Sequence, residues 1–287
     1  MSIPLPALLL VVACGLGWAG FDLMRKMLVR EVPPVALVFL LTVGNALLFG
    51  AWMVRQGAAG PGVGYWLPAL VSVTLNVVAS LLFLGSMRIA PLSMTIPLLS
   101  LTPVFATLIA VPLLGERPTL PHAAGILLVV GGAVSLHWRS GGGSGPPGAA
   151  KGALMVALTA LLWSMTITYD KLAVERSSDL FHGLVLSAGV AAGVLLVLVV
   201  QGRLRDLGAV RRVPWLYVLA LVISTLALGL QLRALPLVYV GTIETLKRGI
   251  GNFMALLSGW FFFHEAVTPR KLIAVGVMAV GVGLLLG

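Results

Sequence analysis

Apolar runs long enough to cross a bilayer, separated by short polar breaks, fill this chain from end to end. Ten can be marked, at 4–25, 34–54, 66–87, 91–114, 121–137, 152–170, 183–201, 214–233, 237–263 and 270–286. Each is near the ~20 residues that a spanning helix needs. The breaks carry Pro, Gly or charge, as at 31–34, 55–64 and 115–121. The pattern predicts an all-α polytopic membrane protein with ten transmembrane helices.

One break differs in kind. Residues 139–151, RSGGGSGPPGAAK, have a Gly/Ser/Pro composition that is flexible and cannot lie in hydrocarbon. It falls near the middle and divides the chain into 4–138 and 152–287, with five segments in each part. The parts repeat weakly. Trp18 and Lys26 match Trp163 and Lys171, and Arg88-Ile89-Ala90-Pro91-Leu92 matches Arg233-Ala234-Leu235-Pro236-Leu237. Gly115-Glu116 leads to Thr119 as His264-Glu265 leads to Thr268. With an odd number of spans per part, the second enters the membrane from the opposite side. Inverted repeats of this kind place a transporter's site at their interface near the midplane.

The ninth segment carries the most unusual chemistry. Glu244, Lys247 and Arg248 lie about halfway along 237–264, where a charge costs at least ~2.5–3.5 kcal/mol and so faces protein or a watery cavity. At helical spacing Glu244, Arg248, Gly251, Ala255 and Ser258 form one stripe with Lys247 at its edge, while Leu246, Ile250, Phe253, Leu257 and Trp260 form a greasy back. Two cations against one carboxylate leave a positive charge over, which suits an anion-binding wall. The bland alternative is a Glu244–Arg248 pair at i,i+4 that locks helices together.

The internal match resembles the drug/metabolite transporter superfamily, specifically proteins with two EamA-type repeats. The residues that carry the likeness are Trp18…Lys26, Trp163…Lys171, Leu101-Thr102-Pro103-Val104-Phe105-Ala106 and Leu114-Gly115-Glu116-Arg117. In the second half Gly251-Asn252 stands where the fourth segment has Thr102-Pro103. Leu246-Lys247-Arg248 is similar to the Lys-Arg pair with which triose-phosphate translocators grip phosphate, which implies an anionic substrate.

Further polar residues complete the candidate site. Thr95, Ser100 and Thr102, with Ser93, Pro97 and Pro103, make the fourth segment polar and kink-prone, a wall facing the ninth. Tyr239 opens the ninth segment and joins the substrate-binding set with Glu244, Lys247, Arg248 and Gly251. Trp18, Asp22 and Lys26, with Arg25, and Trp163, Tyr169, Asp170 and Lys171, with Thr166, lie near segment ends, where gating or structural duty is expected. Asn45 and Asn76 are expected to hydrogen-bond between helices. Small residues at Ala124, Gly125, Gly131, Gly132, Gly276, Ala279 and Gly283 predict that the fifth and tenth segments pack together or form a homodimer contact.

Composition agrees with the pattern and removes other classes. Charged residues are 10% and hydrophobic residues 59% of 287, against about 25% charge in soluble domains. The net charge of +10 is spread in ones and twos between apolar runs, so no nucleic-acid partner is expected. A single cysteine, Cys14, excludes an intrachain disulfide. The four histidines form no HExxH, and GxSxG and Walker motifs are absent. Neither an enzyme nor a cofactor or metal is expected. Lys and Arg are in excess on the side where the first segment ends, which by the positive-inside rule puts both termini outside; the family resemblance implies both inside.

The expectation is a multi-pass protein of a bacterial inner membrane that moves a small anionic metabolite by alternating access. Its rivals are a flippase for a lipid-linked phosphate and a non-transporting scaffold subunit.

Overall fold

A computed structural model describes residues 4–58, 60–89, 98–137, 149–263 and 269–286. Among these the chain forms ten α-helices and one 3-10 helix. They are α1 (Leu5–Leu28), α2 (Pro34–Gln56), α3 (Trp66–Ile89), α4 (Thr102–Leu114), α5 (Leu120–His137), α6 (Ala149–Val174), α7 (Asp179–Val200), a 3-10 helix (Leu204–Arg212), α8 (Pro214–Ala234), α9 (Val240–Phe263) and α10 (Pro269–Leu286). Ser93, Thr95 and Pro97 of the expected fourth segment, and most of the 139–151 break, lie outside the described residues. Six helices, α1, α2, α3, α6, α7 and α8, are long and apolar enough to cross a membrane.

Local chemistry sets the helix ends. Proline opens α1, α2, α4 and α8, where its missing N–H has no helical partner to lose. Gly57 and Gly115 end α2 and α4 with φ of 59° and 66°, a left-handed cap that a side chain would strain. Ser178 caps α7 by accepting the Phe181 N–H at 3.1 Å. The 3-10 helix occupies a break between apolar runs. Its Leu207, Ala209 and Val210 cover the cluster of Phe21, Leu28 and Leu37, an amphipathic contact too short for run-counting to register.

The helices pair in a pattern that survives exchanging each helix for the one five places along. α3 packs on α6, and α1 on α8; α4 packs on α6, and α9 on α1; α2 packs on α7, α4 on α9 and α5 on α10. The α4–α9 contact maps onto itself, so it lies where the two halves of the pattern meet. Outward-facing side chains such as Leu47, Leu67, Leu108, Leu127, Leu196 and Val280 are exposed and apolar, which suits hydrocarbon contact. Leu246 does not join them. Expected on the greasy back of α9, it is buried against Leu232 and Ile243.

Small residues bring α5 and α10 together. A Cβ on Gly281 would come within 2.7 Å of the Gly125 carbonyl oxygen, and one on Gly132 within 2.6 Å of Met278. Gly131, Gly276 and Gly283, expected at this contact from the sequence, face open space instead. Gly281→Val should therefore destabilise the detergent-solubilised protein by ~1–3 kcal/mol through overpacking, read as a lower melting temperature. Gly283→Val should melt close to the parent.

Candidate functional site

α9 presents its charges to three neighbouring helices. Glu244 is 3% exposed, and its Oε1 lies 2.6 Å from Lys247 Nζ one turn later. The same ammonium donates to Gln231 Oε1 of α8 at 2.7 Å. That oxygen also accepts Trp18 Nε1–H from α1 at 2.9 Å, and Lys247 Nζ sits 5.5 Å from the centroid of the Trp18 ring. Carboxylate, amide oxygen and aromatic face thus converge on one cation. The i,i+4 pair of Glu244 with Arg248, the structural alternative raised by the sequence, is not the one formed. The carboxylate is taken by Lys247 at i,i+3.

Arg248, one residue on and about 100° round the helix, turns to α4. Its Nη2 donates to Thr102 Oγ1 at a long 3.4 Å. Its Nε is buried with no hydrogen-bond partner among the described residues, and so is Nδ2 of Asn252 one turn further. Among the described residues, nothing lies within 4 Å of the position a Cβ would take on Gly251. Buried polar atoms are almost always satisfied, and leaving one unmade costs about 1–3 kcal/mol. Two orphaned donors beside an open glycine, at the α4–α9 contact, are a place for acceptor atoms.

The other expected residues divide. Ser100 is buried two positions before Thr102. Tyr239 is not with Arg248. It precedes α9, roughly 13 Å away at 1.5 Å per residue, and its ring meets His122 edge-on at 6.1 Å. Asp22 pairs with Arg25 at 2.8 Å in a partly exposed position. Lys26 stands in the last turn of α1. Trp163 packs on Phe83 with ring centroids 5.4 Å apart, and Tyr169 is half-buried.

Asp170 and Lys171, adjacent in α6, enter two separate networks. Lys171 Nζ lies 2.8 Å from Glu116 Oε1 and donates to the Val238 carbonyl at 3.1 Å. Both oxygens of Glu116 accept the Val240 N–H, each at 3.1 Å, so a carboxylate caps the positive end of α9. Asp170 Oδ1 accepts Ser72 Oγ–H and lies 3.0 Å from His182 Nε2, while His182 Nδ1 is 3.1 Å from the Tyr65 hydroxyl. Gln231, Ser72, Tyr65 and His182 were not singled out from the sequence as site residues. Gln231 was findable, being a lone amide inside an apolar segment, where such a residue needs a partner. Asn45 behaves as expected: its Oδ1 accepts the hydroxyls of Ser224 at 3.1 Å and Thr225 at 2.8 Å, joining α2 to α8.

Residues 5–137 and 150–287 each match the EamA-like transporter family. The chain belongs to that family. Its two matched stretches are the two EamA repeats of a protein in the drug/metabolite transporter superfamily, and its apolar helices make it an integral, multi-pass membrane protein. A solved structure titled "Crystal structure of protein" superposes with a TM-score of 0.78 at 20% identity, over 97% of this chain and 96% of that one. The likeness to that structure is one of fold. No curated protein matches the chain.

In this EamA-like protein the Glu244–Lys247 pair must be kept whole. Breaking a buried pair costs ~3–5 kcal/mol because one charge is left alone, whereas replacing both partners by neutral groups is near neutral. Glu244→Gln should lower the melting temperature sharply. Glu244→Gln combined with Lys247→Met should recover most of the loss, which a double-mutant thermal series reads directly.

Proposed function

We propose that the protein is a ten-span secondary transporter, built from two inverted five-helix repeats, that carries a small anionic metabolite by alternating access. The observation that supports this is the state of Arg248. Glu244 and Lys247 neutralise each other, so the guanidinium is the surplus charge of the α9 cluster, and its Nε has no acceptor among the described residues. A guanidinium takes a carboxylate or phosphate with two parallel N–H donors. Asn252 Nδ2 supplies a further donor one turn away, and Gly251 leaves the backbone approachable. Lys247, spent on Glu244 and Gln231, does not make the primary grip.

Position supports the same reading. Thr102 and Arg248 touch across the α4–α9 contact, one of those that half-exchange leaves in place. A site there is reached from either face when the two repeats rock against each other.

The purified protein should be stabilised in a thermal-shift screen by phosphorylated or carboxylate metabolites and not by amines. Binding at a hundredfold excess over Kd is worth about 2.7 kcal/mol of apparent stability. Arg248→Ala should abolish both that shift and uptake into proteoliposomes. A variant that keeps both, or stabilisation by amines alone, would end the anion reading.

A further inference from the structure

Outside the Arg248 site, ionisable chemistry gathers at the far end of α6. Asp170 is 2% exposed and His182 and Tyr65 are fully buried, yet they form a continuous line: Ser72 Oγ on Asp170 Oδ1, Asp170 Oδ1 on His182 Nε2 at 3.0 Å, and His182 Nδ1 on the Tyr65 hydroxyl at 3.1 Å. The line joins α3, α6, α7 and the segment before α3.

Charge balance gives this line a purpose. Two buried carboxylates, Asp170 and Glu116, lie at this end of α6 beside one ammonium, Lys171. Lys171 is given to Glu116 at 2.8 Å. Asp170 is therefore one positive charge short, and the group standing on it is an imidazole, the side chain whose charge changes most readily near neutrality. Burial, and then the charge of Asp170, hold the Tyr65 phenol well above its usual range, so it remains a proton carrier. A hydroxyl in that state donates to a bare ring nitrogen or accepts from a protonated one, which leaves His182 hydrogen-bonded with one ring proton or two.

The other ionisable groups on the elements packed against α7 do not compete. Arg55 of α2 and Arg233 of α8 are exposed, and Tyr217 of α8 donates to the Leu40 carbonyl at 2.9 Å. Tyr169 of α6 is half-buried and turned about 100° from Asp170. Arg88 of α3 and Lys151 of α6 sit at the opposite helix ends, more than ~20 Å along their axes from Ser72 and Asp170.

We propose that the Asp170–His182 pair is a reversible proton site, the place where a proton-coupled cycle loads its ion. As a coupling site it rests on the transporter reading. Proton uptake converts a lone buried carboxylate into a neutral carboxylate–imidazolium pair. The change occurs one residue from Lys171, which with Glu116 fixes the Val238 carbonyl and the Val240 N–H at the start of α9. Proton binding and the seating of the substrate-bearing helix therefore share a charge balance.

The test is ring nitrogen NMR on the ¹⁵N-histidine-labelled full chain in detergent. The triple variant His122→Asn, His137→Asn, His264→Asn leaves His182 as the single histidine and its surroundings intact. The ring should pass from neutral to imidazolium shifts as the pH is lowered. Two variants should move the midpoint in opposite directions. Ser72→Ala removes a donor that stabilises the carboxylate, so the pair holds its proton more tightly and the midpoint rises. Glu116→Gln releases Lys171 to compensate Asp170, so the midpoint falls. A ring that stays neutral throughout, or a midpoint indifferent to both variants, would make the line a structural lock and overturn the proposal. The readout needs no substrate, so the two readings fail separately. A titrating His182 in a protein that binds no acidic metabolite would sink the transporter reading alone, and a silent His182 in one that does would sink the proton site alone.

Discussion

A charge held away from water must find its counterpart inside the protein, and this constraint organises the second half of the chain. Glu244 and Lys247 lie well inside a helix that packs against α1, α4 and α5. Each would be very costly alone. The solution draws on three helices: the carboxylate one turn back, an amide oxygen from α8 and an indole from α1. Trp18 is itself fixed by donating to the same Gln231 oxygen. The network works because Lys carries a compact charge on a flexible stem that can meet several acceptors. Arg248 has a planar fork and faces the hydroxyl of Thr102, which satisfies little of it. The electrostatics of α9 are therefore divided between a cation that is finished and a cation that is not.

The start of the same helix is governed by a second balance. Glu116 caps α9 with both oxygens while holding Lys171 of α6. The clasp ties the α4–α5 connection, the end of α6 and the entry to α9 into one unit. From Val240 to Arg248 is roughly 12 Å of helix, so the clasp and the guanidinium sit about two turns apart on one helix. Asp170, beside Lys171 in sequence, brings the imidazole of His182 into the same neighbourhood. Two ionic groups thus stand beside the start of α9.

Much of this frame was legible in the sequence because it follows from local periodicity. The apolar runs gave the helices, with boundaries displaced where polar first turns begin: α7 opens at Asp179 and α6 at Ala149. The charged stripe of α9 was visible for the same reason. What stayed hidden was pairing across the chain. Nothing local tells that Lys247 meets Gln231 and Trp18, that Lys171 meets Glu116, or that Asp170 meets Ser72 and His182. Sequence spacing favoured Glu244 with Arg248, but partners from α1 and α8 draw Lys247 to the carboxylate instead. Tyr239 read as part of the site because it shares a segment with Arg248, yet helix rise separates them. The glycines of α5 and α10 show the same limit, since composition marks a close contact but not which glycine makes it.

The frame is nearly symmetric and the chemistry on it is not. Exchange of halves carries α4 onto α9, yet α4 offers Thr102-Pro103 where α9 offers Gly251-Asn252, and the positions before them are Leu98 and Leu99 against Lys247 and Arg248. The first repeat therefore contributes a hydroxyl and apolar packing, and the second contributes every charge. Two copies of Lys-Arg facing each other at the α4–α9 contact would repel at short range in a medium that screens poorly. One copy facing a hydroxyl leaves the guanidinium bound only weakly, at 3.4 Å, and so free to exchange that partner for a stronger acceptor. Divergence of the repeats at this crossing, against the packing they share elsewhere in the bundle, gives a nearly symmetric scaffold one positively charged wall.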